Sequence, residues 1–302
     1  MYDVAIIGTG CAGLSAGIYT ARYGLKTIVF GEMPGGLITT THIVENYPGL
    51  GSISGPEMGD KFLDHAKMVG VEIQYTKVKD VKKTTNGFLL TTHKGETESK
   101  TLILATGSEH RKLNARGEEK LANRGVSYCA TCDGAFYKNK VTAIIGGGDS
   151  AAKEALMLAD ICEKVYLIYR KAEIHPEPIN KQRILANSKI EVLTETEVEE
   201  FVGENKLEKM IFKNDKGELK VDGAFIAIGQ LPESKIARDL GANLNQKGEI
   251  VIDKDSKTNI PGLYAAGDVT NSDFNQAIIS AAEGCYAARS AFEFISGESV
   301  SY

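Results

Sequence analysis

Two cysteines separated by two residues are the part of this sequence best suited to chemistry. The segment reads Cys129-Ala-Thr-Cys132-Asp133. A CxxC at a helix start suits dithiol/disulfide exchange, because the helix N-terminus lowers a thiol's pKa and the thiolate is the attacking species. Asp133 follows immediately and is placed to carry the proton that exchange requires. The pattern predicts a redox-active pair, Cys129 and Cys132, with Asp133 as a third catalytic residue.

A zinc site is the alternative use of a CxxC pair. Structural zinc takes four ligands, typically from a second CxxC or from paired histidines. The remaining cysteines, Cys11, Cys162 and Cys285, are isolated, and the five histidines form no HxxH or HxxxH pair. Zinc is therefore the weaker interpretation, no metal is expected, and the three lone cysteines are interpreted as small packing residues.

A duplication provides the elements that position this pair. Residues 2–32 and 140–171 each read as an apolar strand, a glycine-rich turn, a helix of small residues and a second apolar strand. In such a turn the first glycine permits a tight bend and the second lets the backbone approach a pyrophosphate. The third small residue lets the helix pack on the strand, and the helix N-terminus offers N–H groups to phosphates. The key positions are Gly8, Gly10 and Gly13 in the first turn, and Gly146, Gly148, Asp149, Ser150 and Ala151 in the second.

The residues after each second strand distinguish the two copies. Glu32 follows the first, and an acidic residue there can accept hydrogen bonds from ribose hydroxyls. Arg170 and Lys171 follow the second, and cations there can neutralise a ribose 2′-phosphate. The sequence therefore predicts FAD in the first site and NADPH in the second.

Two further segments favour the flavin interpretation. Residues 101–107 and 262–268 are short apolar strands that end near glycine, each able to complete a sheet beside a bound dinucleotide. Asp268 would then accept hydrogen bonds from the flavin's sugar-alcohol chain. A helix is predicted from about Gln276-Ala277, and its positive end would stabilise a reduced flavin.

Composition excludes several other functions. The 302 residues carry a net charge of −5, which argues against a nucleic-acid binder. The lysine-rich stretch 77–83 alternates with valines and predicts a strand with one solvated face. No apolar run reaches membrane-span length, and the N-terminus opens into a strand, not a secretory signal. We therefore expect a cytoplasmic protein that does not bind membranes.

The order of these motifs resembles that of the low-molecular-mass thioredoxin reductases of bacteria and archaea. The resemblance covers essentially the whole chain, and the Cys129–Asp133 motif just before the second glycine turn is its most specific element. The other matching motifs are Gly8–Gly13, Pro34-Gly35-Gly36, Glu45-Asn46-Tyr-Pro-Gly49, Ala105-Thr106-Gly107, Gly146–Ala151, Ala266-Gly267-Asp268 and Gln276-Ala277.

The resemblance implies an α/β fold with two Rossmann-like, three-layer dinucleotide-binding domains. A discontinuous FAD domain, residues 1–112 and 239–302, would hold an inserted NAD(P)H domain, residues 113–238, that carries the disulfide. The chain would form a homodimer. In the implied FAD site, Asn46 contacts the flavin and the backbone of Val78 meets the adenine, beside Gly35, Gly36, Thr106, Gly107, Gly267, Asp268, Gln276 and Ala277.

The resemblance also implies that Cys132 faces the flavin while Cys129 attacks the disulfide of thioredoxin or a thioredoxin-like protein. Both the nicotinamide and Cys132 must reach one flavin, so we expect the inserted domain to rotate about linkers near 111–116 and 239–245. A flavin-dependent dithiol oxidase and a non-enzymatic dinucleotide-binding zinc protein are the rival hypotheses.

The sequence departs from the family pattern at several positions. Leu37 stands where Gln is usual, and Asn275 where Arg is common. In the second nucleotide site, Tyr169 and His175 replace two members of the usual His-Arg-Arg and further Arg set. NADH or a reduced deazaflavin therefore remains an alternative to NADPH as the electron donor.

Overall fold

The computed structural model describes residues 1–41 and 43–300; the last two residues of the predicted flavin domain, 301–302, lie outside the described residues. The chain divides into two compact units. Unit 1 comprises Met1–Glu109 and Leu231–Tyr302, and unit 2 comprises His110–Gln230. Elements are numbered along the chain.

Unit 1 is built on a seven-stranded sheet. Its strands are β1 (Tyr2–Ile7), β2 (Thr27–Phe30), β5 (Glu72–Gln74), β6 (Val78–Thr84), β7 (Gly87–Thr92), β8 (Gly95–Leu104) and β19 (Leu263–Ala265). The order is β5-β2-β1-β8-β7-β6, with β19 paired to β8. The central strands are parallel, and β6, β7 and β8 run antiparallel.

Apolar residues cover both faces of this sheet. Val4 and Ile6 of β1 point to one core, which the helices fill, and Ala5 and Ile7 point to the other, beneath β6 and β7. A parallel strand buried on both faces needs an uninterrupted apolar run, as β1 has. The helices are α1 (Cys11–Arg22), α2 (Gly55–Met68), α7 (Lys235–Leu240) and α8 (Ala277–Ser296), with a 3₁₀ turn at Gly36–Thr40 and a small pair of strands, β3 (Ile43–Val44) and β4 (Ile53–Ser54).

Unit 2 repeats the plan with a five-stranded parallel sheet. Its order is β10 (Val126–Ser127), β17 (Gly223–Ile226), β11 (Val141–Ile145), β12 (Lys164–Ile168) and β13 (Ile190–Leu193). One face packs on helices and the other on an antiparallel sheet. That sheet contains β14 (Val198–Val202), β15 (Lys209–Phe212) and β16 (Glu218–Lys220). The helices are α3 (Glu118–Leu121), α4 (Ala130–Asp133), α5 (Asp149–Ile161) and α6 (Pro178–Ala186), with a 3₁₀ turn at Gly134–Tyr137.

The segments that join the units differ from the predicted linkers. The units divide after Glu109 and before Leu231, so the second division comes eight residues before the predicted 238/239 boundary. The reason is helix α7, whose Ala237 is fully buried in a unit 1 core with Val78 and Val81 of β6. Residues 239–245, the predicted second linker, thus lie inside unit 1. The connecting strands β9 (Ser108–His110) and β18 (Gln230–Pro232) pair with each other instead.

Other predictions from the sequence agree with the structure. The predicted α/β class and both strand–turn–helix–strand repeats are present. In the lysine-rich strand β6 only Val78 and Val81 are buried, which gives the predicted solvated face. Within residues 1–41 and 43–300 there is no helix both long and apolar enough to traverse a lipid bilayer.

Candidate functional site

Cys129 and Cys132 are joined by a disulfide in unit 2, with their Cα atoms 5.3 Å apart. Cys129 is the N-cap of the one-turn helix α4, as predicted, and its Sγ accepts a hydrogen bond from the Cys132 N–H at 3.1 Å. Cys132 is exposed and Cys129 is half-buried. The turn thus presents its disulfide at the surface of unit 2.

Asp133 is held in place by Ser127, a residue that no motif in the sequence marks. The Ser127 hydroxyl donates to Asp133 Oδ2 at 2.7 Å and accepts the Cys129 N–H at 3.1 Å. Ser127 is buried at the end of β10, so it fixes the carboxylate and the first cysteine to one point. This arrangement fixes Asp133 next to the redox turn, in keeping with the predicted role as a proton carrier.

The first glycine turn is shaped by close backbone packing. A Cβ on Gly8, whose φ is +125°, would lie 1.9 Å from the Ala105 carbonyl oxygen, and one on Gly13 would lie 1.9 Å from the Gly8 oxygen. Helix α1 begins after Gly10, and no side chain caps its N-terminus. Its first N–H groups are therefore available to an anionic ligand.

Two distant segments converge on this turn. A Cβ on Gly36 would lie 2.5 Å from the Gly10 Cα, and one on Gly267 would lie 3.0 Å from the Ala12 Cβ. Gly35, next to Gly36, has a φ of +83° and packs equally closely on Gly59. Only glycines leave a cradle open here, which fits a dinucleotide that lies against bare backbone.

Asp268 lies beside this cradle as a half-buried residue. Burial raises its pKa, and a hydrogen bond from Ser280 Oγ at 3.2 Å only partly offsets the effect. Glu283, which contacts the same loop, is also half-buried, and this burial raises its pKa. Its Oε2 accepts hydrogen bonds from the Gly267 N–H at 2.7 Å and the Thr270 hydroxyl at 3.0 Å. Glu283, which sequence reasoning did not identify, therefore holds the loop that carries Asp268. Ligand hydroxyls would satisfy Asp268 well.

The remaining predicted flavin residues divide into two groups. Asn46 Nδ2 donates to Gln276 Oε1 at 2.9 Å, which brings together two predicted contacts 230 positions apart, and helix α8 begins at Ala277 as expected. Thr106 donates its hydroxyl to the Glu233 carbonyl at 2.7 Å.

The second group of predicted flavin residues could offer a ligand only backbone atoms or a charged side chain. Gly107 has a φ of +68° with open space around it, the Val78 side chain is buried in the core, and Glu32 is exposed after β2. The Val78 side chain is thus not available to a ligand, and the contact of its backbone with the adenine stays a prediction.

The second glycine turn has the same backbone design. A Cβ on Gly146 would lie 2.2 Å from the Ala227 oxygen and 2.8 Å from the Ala151 Cβ. Helix α5 begins after Gly148 without a side-chain cap, and Ser150 is exposed in its first turn.

Asp149 is engaged within the protein. It pairs with Lys153 at 2.7 Å and accepts from Asn180 Nδ2 at 2.8 Å and the Glu177 N–H at 3.1 Å. Burial alone would raise its pKa, but these partners outweigh burial and lower it. Its role is to anchor the start of α6 on α5.

A tyrosine–histidine pair flanks the second turn. The Tyr169 ring is packed on the backbone of Gly147, and its hydroxyl lies 3.2 Å from His175 Nδ1. The His175 N–H also donates to the Gly147 oxygen at 2.7 Å. Arg170 and Lys171, by contrast, are exposed. Two cations, Arg170 and Lys171, are thus available at this strand end. Tyr169 and His175, which stand at two positions of the family's usual phosphate clamp, hold the glycine turn instead.

Comparison with known proteins gives one consistent result. A family model described as pyridine nucleotide-disulphide oxidoreductase matches residues 2–284. The thioredoxin reductase of Listeria monocytogenes is 39% identical over 301 residues, covering 98% of this chain and 94% of the relative. The crystal structure of Lactococcus lactis thioredoxin reductase has a TM-score of 0.95 at 38% identity, covering 99% of this chain and 100% of that one. That of T. acidophilum thioredoxin reductase has a TM-score of 0.92 at 35% identity, covering 97% and 98%.

Proposed function

Because the chain belongs to the pyridine nucleotide-disulphide oxidoreductase family and is an FAD-dependent disulfide reductase, we propose that it reduces the disulfide of thioredoxin or a thioredoxin-like protein. The observation that carries this proposal is the Cys129–Cys132 disulfide, presented on a one-turn helix beside Asp133. Unit 1 would be the FAD domain and unit 2 the NAD(P)H domain.

The chemistry assigns separate tasks to the two cysteines. Bound FAD supplies two-electron transfer between the nucleotide and the disulfide. The Cys129 thiolate then attacks one sulfur of the thioredoxin disulfide and forms a mixed disulfide. The Cys132 thiolate attacks Cys129 Sγ, which restores the Cys129–Cys132 bond and releases dithiol thioredoxin. Asp133 delivers the proton to the leaving thiolate.

We further propose that NADPH is the donor, because Arg170 and Lys171 are exposed cations at the strand end that follows the second glycine turn. A second donor class is favoured by the Tyr169–His175 pair, which occupies two positions of the usual 2′-phosphate clamp and hydrogen-bonds within the protein. NADH, or a reduced deazaflavin, needs no 2′-phosphate clamp. The proposed location is the cytoplasm, where free Cys11, Cys162 and Cys285 would stay reduced, and the proposed assembly is the homodimer of the family.

The redox pair is tested by Cys132→Ser, with Cys162→Ser as the matched control in the same unit. We expect Cys132→Ser to bind FAD and accept electrons from the donor, since neither step uses this sulfur, but to lose thioredoxin reduction. Cys162→Ser should retain turnover. Full thioredoxin-dependent turnover in Cys132→Ser would contradict the assignment.

The donor is tested by anaerobic titration of the flavin with NADPH, NADH and a reduced deazaflavin, following the loss of flavin absorbance. Bleaching by NADPH at the lowest concentration supports the proposal. Bleaching only by NADH or by the reduced deazaflavin would show that the donor is that compound and not NADPH. Rapid oxygen-dependent oxidation of dithiols without thioredoxin would instead identify a dithiol oxidase.

A further inference from the structure

A buried carboxyl group lies beneath the redox turn and has no part in the chemistry described above. Glu154 is on helix α5, and its carboxyl accepts a hydrogen bond from the N–H of Ala130, the residue after Cys129. Its Oε2 is buried and has no hydrogen-bond partner among residues 1–41 and 43–300. An unpartnered polar atom in the interior is costly, so a carboxyl retained there implies a use.

The neighbouring side chains show that α5 is the support for the redox turn. The Thr131 hydroxyl lies 3.9 Å from Met157 Sδ, and a Cβ on Gly134 would lie 2.9 Å from Leu158 Cδ2. Glu154, Met157 and Leu158 occupy positions i, i+3 and i+4 of the helix and so share one face. Of the three, only Glu154 offers a hydrogen-bond acceptor to the backbone between the two cysteines.

We propose that Glu154 is a positioning residue for the redox disulfide, holding the backbone of the Cys129–Cys132 turn on helix α5 through the Ala130 N–H. This proposal rests on the proposed function only in taking the pair as redox-active. Because α5 also begins directly after the second glycine turn, the same helix would fix the nucleotide loop at one end and the redox turn along its side.

The charge state of the carboxyl suits this role. Burial raises the pKa of Glu154 to about 8, with the Ala130 hydrogen bond opposing the shift, so the group is uncharged at neutral pH. The acidic residue in the first turn of α5, Asp149, forms an ion pair with Lys153. An uncharged carboxyl can hold the turn without repelling the thiolate that forms when the disulfide opens.

The role predicts a specific redox phenotype. If the turn is held, its two thiols face each other at high effective concentration, which favours the disulfide over the dithiol. Glu154→Leu removes the acceptor, so its disulfide-to-dithiol ratio at pH 7 in a given dithiothreitol buffer should fall by at least about tenfold. Glu154→Gln keeps an uncharged acceptor of the same shape and should stay within about threefold of the parent, as should the exposed-site control Glu163→Leu.

The measurement is alkylation of the thiols after equilibration, resolved by mass, on FAD-loaded protein. This measurement uses no thioredoxin, so it tests the role of Glu154 separately from the proposed function. The proposed function is contradicted by a different result, namely that the parent protein does not reduce thioredoxin. An unchanged ratio in Glu154→Leu would overturn the proposal. So would a shift in Glu154→Gln as large as in Glu154→Leu, since it would show that the charge matters and not the acceptor. Should Glu154→Leu not fold, Glu154→Ala provides the same test.

Discussion

The two glycine turns share one backbone design and differ in the residues that line them. In each, the first glycine has a positive φ, and a Cβ there would enter the carbonyl of an alanine, Ala105 or Ala227. In each, the helix starts after a glycine and its N-terminus has no side-chain cap. The first turn is then lined by further bare backbone from Gly36 and Gly267. The second is instead buttressed by the Tyr169 ring and His175.

The carboxyls beside the turns differ in the same way. Asp268, in unit 1, is half-buried and accepts a hydrogen bond from the Ser280 hydroxyl, and its pKa is raised by burial. Asp149, in unit 2, is paired with Lys153, and its pKa is lowered. The Asp268 carboxyl can thus accept further hydrogen bonds from ligand hydroxyl groups, whereas the Asp149 carboxyl is already bonded to groups of the protein. On the proposed function, each turn would provide a phosphate site, and its surroundings would decide which nucleotide it takes.

The largest expected effect comes from filling each turn separately. Gly8→Ala forces a Cβ against backbone at 1.9 Å in unit 1, and Gly146→Ala does so at 2.2 Å in unit 2. We expect Gly8→Ala to lower FAD affinity by at least about a hundredfold. Gly146→Ala should purify with FAD but weaken nucleotide binding by a similar factor. Flavin absorbance and nucleotide titration measure the two effects.

The control for both substitutions is Gly24→Ala. Gly24 also has a positive φ, +74°, but nothing lies within 4 Å of its Cβ position. Its replacement should cost about 1 kcal/mol of stability and leave both nucleotides bound. Loss of FAD in Gly146→Ala with folding intact would show that the turns do not serve separate nucleotides.

A smaller effect is expected from the cations that follow β12. Arg170→Ala with Lys171→Ala removes two charges, and each charge-assisted bond to a phosphate is worth about 1.5–3 kcal/mol. Because both side chains are exposed, solvent screening reduces this contribution, so NADPH binding should weaken by about tenfold, whereas NADH binding should change little. The exposed Lys138→Ala in the same unit is the control. Equal weakening of the two nucleotides would remove the argument for a 2′-phosphate site.

Much of this organisation could be predicted from sequence because it is local. The strand–turn–helix repeats, the helix beginning at Ala277 and the one-turn helix after Cys129 each depend on residues adjacent in the chain. Contacts between segments that are distant in the chain could not be predicted in this way. The Asn46–Gln276 hydrogen bond joins two residues predicted only through family resemblance, since nothing in either segment indicates the other.

The features that were missed depend on tertiary burial. Glu154 reads as an ordinary solvated helix residue, and only the packing of α4 on α5 buries it. Ser127 ends a two-residue strand that carries no pattern of its own. The second linker was expected at 239–245 from the implied domain bounds, and only the burial of Ala237 in the unit 1 core shows that α7 belongs to unit 1.

The smallest expected effect tests the contrast between Asp149 and Asp268 in flavin-free protein. A carboxyl whose pKa is lowered by folding contributes stability above its unfolded pKa of 3.8, and that stability is lost as pH falls through the lower folded value. Asp149→Asn keeps the acceptor for Asn180 but loses the Lys153 pair. It should therefore reduce the free energy of unfolding at pH 6 by about 0.5–1 kcal/mol, with the difference vanishing in strong acid.

Asp268→Asn should act in the opposite direction. Its folded pKa lies above 3.8, so the folded protein binds more protons than the unfolded chain, and stability falls as pH rises through that interval. An uncharged asparagine avoids this loss, so Asp268→Asn should be at least as stable as the parent at pH 7. Thermal unfolding of both variants between pH 3 and 7 checks the two signs. Destabilisation by both at neutral pH would mean that Asp268 is already satisfied without a ligand, and the contrast between the two nucleotide sites would lose its electrostatic basis.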